Sequence, residues 1–163
     1  MSIDILLRDT EALPLGLDVL PKMAGKGDQC RAIEYSQIEK AAHLSEILNE
    51  THPYAIILVM DKREPQSKIG HYVCAWLKGN DVFYFDSYAH RVQRLLALLK
   101  NSTALIKLVH AAGKRLVPNR KPVQQMSAKI STCGRHAAIR LRLSDWSHER
   151  YFRFMKSSLL NPD

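Results

Sequence analysis

Apolar residues recur along the chain at two spacings, and each spacing predicts a type of secondary structure. Apolar positions three and four residues apart predict three amphipathic helices, over 36–50, 91–101 and 145–160. Ser36 and Glu39 have the spacing of a capping box at the start of the first of them. Runs that are apolar almost throughout predict strands, YAIILVM at 54–60 and ALIKLVH at 104–110. The first 35 residues follow neither spacing, so we expect them to be irregular.

Two further apolar runs, HYVCAWL at 71–77 and VFYFDSY at 82–88, predict a β-hairpin. Gly79 and Asn80 between them suit a tight two-residue turn. A few strands with helices on either side predict an α+β fold, with a small mixed or antiparallel sheet flanked by helices.

The hairpin register places a histidine and a carboxylate on one face of the sheet. Counting back from the turn, Val73 lies opposite Asp86 and His71 lies opposite Tyr88. His71 and Asp86 are then diagonal neighbours, roughly 7–8 Å apart between backbones, which is within reach of an imidazole–carboxylate hydrogen bond. Cys74 points to the opposite face and is expected to fill the core.

The stretch KISTCGRHAAIRLRL, residues 129–143, predicts a loop followed by a helix. Ser131 and Thr132 favour N-cap positions, so Cys133 stands where the helix begins. The helix macrodipole lowers the pKa of a thiol at this position, which favours a nucleophilic thiolate. A packing role is the alternative, because free cysteine is among the most buried residue types. His136, one turn later, could lower the thiol pKa when charged or could be a contact residue.

The segment 111–129 is basic, is broken by two prolines and is predicted to be mostly loop with short extended pieces. Its VQQ sequence offers two side-chain amides, Gln124 and Gln125, that could stabilise an oxyanion beside the backbone N–H of Cys133. If Val123 packs inward, Gln124 points the other way, toward the site. Gln125 is closer to Cys133 along the chain and is the alternative.

Composition and charge narrow the range of partners. The 163 residues are expected to form a single domain, 1–163, and a formal charge of +8 suggests a polyanionic partner such as DNA, bound without sequence preference. The N-terminal residues lack the features of a signal peptide and no apolar run is long enough to span a bilayer, so we expect an intracellular protein without a membrane partner.

The cysteine pattern argues against two further classes of protein. Three cysteines, at positions 30, 74 and 133, are an odd and widely spaced set, which argues against a disulfide framework. Neither a CxxC nor an HxxxH spacing occurs, so no zinc site is predicted, and we expect no metal or cofactor.

Four motifs in a fixed order resemble the adenovirus-protease and ubiquitin-like-protein-protease group of cysteine peptidases. They are GHY at 70–72, FDSY at 85–88, VQ at 123–124 and TCGRH at 132–136. The order His, Asp, Gln, Cys is permuted relative to papain, and the resemblance covers about residues 44–143. The TCGRH motif is most similar to the maturation proteases of large DNA viruses and virophages. Tyr72 stands where the family usually has tryptophan, and the interval from Gln124 to Cys133 is longer than in the cellular members.

The resemblance implies an adenain-like, permuted papain-like fold and a catalytic set. It implies Cys133 as nucleophile, His71 as general base and acid, Asp86 as the residue that orients the histidine, and Gln124 in the oxyanion hole. It further implies an endopeptidase that cleaves viral precursor proteins at glycine-containing motifs during virion maturation, and we expect the protein to be a monomer. Such an enzyme would act in the host cytoplasm or nucleus and in the virion.

Two other functions remain open at this stage. The same chemistry could be directed at ubiquitin or a ubiquitin-like modifier. A non-enzymatic basic nucleic-acid-binding protein is the second alternative, although aromatic residues are not interleaved with the basic run at 114–121.

Overall fold

A computed structural model describes residues 16–67, 70–124 and 132–160. The described chain has an α+β architecture built on one mixed five-stranded sheet. The strands are β1 (Cys30–Glu34), β2 (Tyr54–Met60), β3 (Gly70–Lys78), β4 (Asp81–Phe85) and β5 (Arg115–Pro118). They lie in chain order across the sheet, and the β2–β3 and β3–β4 pairs are antiparallel, whereas β1–β2 and β4–β5 are parallel.

Six α-helices accompany the sheet within the described ranges. They are α1 (Leu20–Ala24), α2 (Tyr35–Lys40), α3 (Val92–Leu98), α4 (Ala104–Ala111), α5 (Cys133–Arg142) and α6 (His148–Leu160). In this part of the chain, none of the helices has the length and apolar character needed to cross a membrane.

The prediction of a strand over 104–110 is wrong, because this segment is the helix α4. Leu105, Leu108 and Val109 are buried at helical spacing, while Lys107 and His110 between and beyond them are exposed. A short apolar run fits both a strand and a buried helix, and here the polar residues fall on one side of a helix.

The helix predicted over 36–50 is much shorter in the structure. It ends at Lys40, and a 3₁₀ turn, Leu44–Glu46, follows. Glu34 rather than Ser36 is the N-cap residue, in a capping box with Gln37. Glu39 instead forms an ion pair with Lys62 across to another segment, a long-range contact that the local spacing does not reveal.

The N-terminal region is more regular than predicted, because 1–35 contains α1 and β1. The short strand β1 forms a parallel ladder with β2, so its stability comes from a partner more than 20 residues away. Leu20 and Ala24 of α1 are fully buried.

The two faces of the sheet carry separate apolar clusters because side chains alternate along each strand. On one face Val73, Ala75 and Tyr84 pack with residues of α2, α3 and α4. On the other face Cys74 and Trp76 pack with residues of α1, α5 and α6, as predicted for Cys74.

Helix α5 is buried on every side, since each residue from Cys133 to Leu141 is buried. Even Arg140 is fully buried, with its guanidinium between the rings of Trp76 and Tyr151 at 4.6 and 4.9 Å. Arg140 also donates to the carbonyl oxygens of Leu143 and Trp146, at 2.6 and 2.8 Å. These contacts compensate the buried charge in part and fix α5 against the sheet.

Candidate active site

The predicted hairpin register is confirmed from the Lys78–Asp81 pair to the Cys74–Phe85 pair. Beyond Phe85 the structure departs from the prediction, because β4 ends there and the expected pairs that involve Asp86 and Tyr88 do not form in the ladder. The carboxylate of Asp86 accepts the backbone N–H of Tyr88, which turns the chain away from β3.

His71 and Asp86 nevertheless form the expected contact. His71 Nε2 lies 2.7 Å from Asp86 Oδ1, and the Asp86 side chain is completely buried. The ring of Tyr88 stacks on His71, with 5.2 Å between ring centroids and an interplanar angle of 28°. The imidazole is therefore held at one nitrogen by a carboxylate and on one ring face by an aromatic side chain.

Asp86 is held by its backbone as well as by its carboxylate. Asn119 Oδ1 accepts the Asp86 N–H at 2.9 Å, and Asn119 Nδ2 donates to the Asp86 carbonyl at 2.8 Å. Asn119 is buried and follows β5, so the end of the parallel β4–β5 pair fixes the position of Asp86. The second carboxylate oxygen, Oδ2, accepts the Nδ1–H and the backbone N–H of His90, at 2.7 and 3.1 Å.

Cys133 reaches the same end of the sheet from the opposite face. It is the first residue of α5 and is 2% exposed, and its Sγ accepts the backbone N–H of Tyr72 at 3.5 Å. Tyr72 lies two residues beyond the last β3–β4 pair, so the sulfur approaches β3 where β4 has turned away. Gly134 permits this approach, because a Cβ at that position would lie 3.1 Å from Tyr72 Cδ2.

The protonation of His71 is coupled to both of its neighbours. Burial alone would lower the pKa of His71, but hydrogen bonds and charge interactions with Asp86 and Cys133 raise it to about 9. Burial would raise the pKa of Asp86, yet its hydrogen bonds, chiefly from His71, hold that pKa below its usual value. The arrangement therefore favours an imidazolium between a carboxylate and the thiol.

The other titratable groups of the predicted site region lack these features. Burial lowers the pKa of His136 to about 4, so this histidine is neutral near pH 7 and is a contact residue, which leaves it no positive charge to offer the thiol. Burial raises the pKa of Cys30 to about 11 and raises that of Cys74 still further. Both thiols are therefore protonated at neutral pH and inert.

Gln124 lies between the Asp86 turn and the start of α5. Its Oε1 accepts the hydroxyl of Ser87 at 2.8 Å, and its Nε2 donates to Thr132 Oγ1 at 2.6 Å. The neighbouring Val123 is buried in the cluster that contains α5, which is the inward packing expected of it. Thr132 occupies the N-cap position but makes no capping hydrogen bond with its side chain. Its hydroxyl instead accepts from Gln124.

Two residues weighed in the sequence lie outside the described part of the chain. They are Gln125, the alternative oxyanion donor, and Ser131, the alternative capping residue. The structure thus locates Gln124 beside the Cys133 helix and leaves the comparison of the two glutamines to experiment.

The ligand atoms of His71, Asp86 and His90 lie within 4.8 Å of one another, close enough to hold a metal ion. Both imidazole–carboxylate distances in this group are 2.7 Å, a normal length for a charge-assisted hydrogen bond. In the structure the three side chains therefore form a hydrogen-bonded His–Asp–His cluster.

Sequence reasoning missed three residues that shape the site. His90 follows Asp86 by four residues, a spacing that signals a contact once Asp86 is placed in a turn. Ser87 supports Gln124 and is adjacent to Asp86 in the chain. Asn119 is 33 residues from Asp86, and no local pattern marks it.

Comparisons with known proteins identify no family for the chain. No protein-family model matches it, and a search of curated proteins finds no match. The functional assignment therefore depends on the motifs and on the geometry of the site.

Proposed function

We propose that this chain is a cysteine-type endopeptidase with an adenain-like, permuted papain-like fold. One observation carries the proposal: a buried thiol at the start of α5 lies beside an imidazole whose far nitrogen is held by a buried carboxylate. A packing cysteine needs neither an imidazole partner nor the Asp86 network behind it. In nucleophilic catalysis by a thiol, an adjacent base activates the thiol and a third group orients that base.

We propose a separate role for each nitrogen of His71. Nε2 is bonded to Asp86, so Nδ1 is the nitrogen that exchanges a proton with Cys133 and then with the leaving amine. In the first step the thiolate adds to the substrate carbonyl carbon, and the carbonyl electron pair moves to oxygen. Collapse of this intermediate breaks the C–N bond as the His71 imidazolium gives its proton to the amine, which leaves a thioester. His71 then takes a proton from water, and the hydroxide displaces Cys133.

The oxyanion of the tetrahedral intermediate needs hydrogen-bond donors near Cys133. The backbone N–H of Cys133 is the first of the ten-residue helix α5, and the first N–H groups of a helix point outward from its N-terminus. One hydrogen of the Gln124 amide is bonded to Thr132, the residue before the nucleophile, and among the described residues this is the acceptor that Nε2 meets, so we assign its second hydrogen to the oxyanion. We assign these two groups to the oxyanion hole.

The substrate class comes from the resemblance of the TCGRH motif to viral maturation proteases. We propose precursor proteins of a virion, cleaved at glycine-containing motifs, as the substrates, with the reaction taking place in an infected cell and in the assembling particle. The charge of +8 supports non-specific binding to the packaged nucleic acid, which would bring enzyme and substrates together.

The proposal is tested by a thiol-reactive peptide probe together with peptide cleavage. Cys133→Ala should abolish both labelling and turnover, whereas Cys74→Ala, a matched loss of a buried thiol, should retain both. Cleavage by the Cys133 variant would refute the mechanism. A panel of viral precursor peptides and diglycine-linked ubiquitin-like modifiers identifies the substrate class, since cleavage restricted to the modifiers would select the deconjugating alternative.

A further inference from the structure

Asp86 carries a second imidazole, His90, on its other carboxylate oxygen. The two histidines use different carboxylate oxygens, with His71 on Oδ1 and His90 on Oδ2, each at 2.7 Å. His90 reaches the carboxylate with Nδ1 and also donates its backbone N–H to Oδ2 at 3.1 Å. The Asp86 carboxylate thus accepts four hydrogen bonds, which matches its approximately four lone-pair sites.

We propose that His90 is a positioning residue, which holds the Asp86 carboxylate in the plane that orients His71 toward Cys133. This inference rests on the proposed cysteine-peptidase function and extends it to a residue beyond the motifs. On Oδ2 the backbone N–H of His90, at 3.1 Å, is supplemented by the shorter bond from Nδ1–H at 2.7 Å. This side-chain bond restricts rotation of the carboxylate about the Cβ–Cγ bond, so Oδ1 stays in line with His71 Nε2.

The donation by His90 does not depend on its charge. Nδ1 carries a hydrogen both in the imidazolium and in the neutral tautomer with its proton on Nδ1, so either form donates to Oδ2. Other titratable or charged groups surround the Asp86–His90 pair. From neighbouring elements these are His71 on β3, Tyr84 on β4, Tyr88 in the turn and Cys133 on α5. A cavity beside His90 is also lined by Arg91, His110 and Arg120. The proposed role is therefore tested on the titration of Cys133 and His71 rather than on that of His90.

The surroundings of His90 decide which variants are informative. Its side chain is 21% exposed and lines a cavity of about 750 Å³ that also touches Asn119. His90→Ala would open Oδ2 to water from this cavity, and water would replace the donor. His90→Phe fills the same space without a side-chain donor and leaves the backbone N–H on Oδ2. His90→Asn places an amide N–H near the position of Nδ1. His110→Phe alters another histidine of the cavity and makes no contact with Asp86, so it is the matched control.

The experiment measures the rate of Cys133 alkylation by iodoacetamide against pH, together with kcat/KM on a cleavable peptide. In His90→Phe we expect kcat/KM to fall by about 10- to 100-fold, the range for one hydrogen bond to a charged group. We also expect the acidic limb of the curve of alkylation rate against pH to move to higher pH, because a poorly oriented imidazolium stabilises the thiolate less. His90→Asn and His110→Phe should keep the wild-type pH curve of alkylation and the wild-type kcat/KM.

The outcomes separate positioning from a general structural role and from the proposed function itself. An unshifted alkylation profile in a folded His90→Phe protein would overturn the inference, as would a His90→Asn variant as impaired as His90→Phe. A shifted profile in a protein that cleaves no peptide would uphold the role of His90 and refute the peptidase assignment. If His90→Phe does not fold, as judged by its thermal unfolding, equal losses in His90→Asn and His90→Gln would overturn the inference, and retention by His90→Asn alone would support it.

Discussion

The exchange of Asp86 for asparagine should destabilise the protein more than a loss of charge alone implies. Each carboxylate oxygen accepts one backbone N–H, that of Tyr88 on Oδ1 and that of His90 on Oδ2. An asparagine replaces one oxygen by an NH₂ group, so in either orientation of the amide one buried backbone N–H faces another donor. No choice of histidine tautomer removes this conflict, because the donor left without an acceptor belongs to the backbone.

The expected magnitude has two parts with different pH dependence. A buried donor left without an acceptor costs about 1–3 kcal/mol at any pH. The rise in the pKa of His71 from 6.5 to about 9, at about 1.4 kcal/mol per pKa unit, corresponds to about 3 kcal/mol, which Asp86 shares with Cys133. A raised folded-state pKa stabilises fully below the unfolded value, and this contribution is lost as the pH rises through the folded value.

The free energy of unfolding of Asp86→Asn should therefore be about 3–5 kcal/mol below that of wild type near pH 6. This difference, the stability gap, should shrink to about 1–3 kcal/mol near pH 9.5. Titration of Asp86 itself does not change the stability gap over this pH range. Its pKa in the folded protein lies below the usual value, so the stability that its carboxylate contributes is lost only on acidification. Urea unfolding at the two pH values measures the gap. Asp81→Asn is the control, since its partly exposed carboxylate pairs with the exposed Arg115, and solvent screening makes the loss of such a surface pair small. A gap that stays constant with pH, or that equals the control, would refute this account of the site.

Other predictions concern the oxyanion donor, the helix start and the charge. Gln124→Ala should lower kcat by roughly 10²–10³, with Gln125→Ala near wild type on the same peptide, and the reverse result would assign the role to Gln125. Gly134→Ala should lower kcat while the protein stays folded, because the added Cβ would lie 3.1 Å from Tyr72 and push the start of α5 away from β3. An unchanged kcat would show that the contact is relieved elsewhere. Binding to DNA should weaken steeply between about 50 and 200 mM salt, and equal affinity at both would exclude a phosphate-binding role.

The strand and hairpin patterns predicted the part of the site that depends on local alternation. A turn at Gly79–Asn80 fixes the register, and the register brings His71 near Asp86. The same reasoning failed at the end of β4. There the Asp86 carboxylate accepts the backbone N–H of Tyr88, and the pairing of β4 with β3 ends. Alternation along a strand contains no information about where such a turn begins.

Contacts between distant segments account for the features that the sequence did not predict. The Asn119–Asp86 pair and the Glu39–Lys62 pair join residues that no short-range rule relates. The apolar run 104–110 matched two periodicities, and its packing with residues of α2 and α3 decided for a helix. Burial of Arg140 between two aromatic rings was likewise not expected from an alternation of arginines and leucines in α5.

The separation of the site along the chain has a consequence for biosynthesis. Tyr72 and Cys133, whose contact brings the thiol to β3, are 61 residues apart, and α5 is covered in part by α6, which is made after it. The hairpin with His71 and Asp86 can form early, because its contacts are local and its loop is short. The thiol can join it only after α5 and α6 have left the ribosome and a long loop has closed, a step that orders many residues before it yields contacts. A nascent chain would therefore carry the imidazole–carboxylate pair without its nucleophile until these two helices have been made.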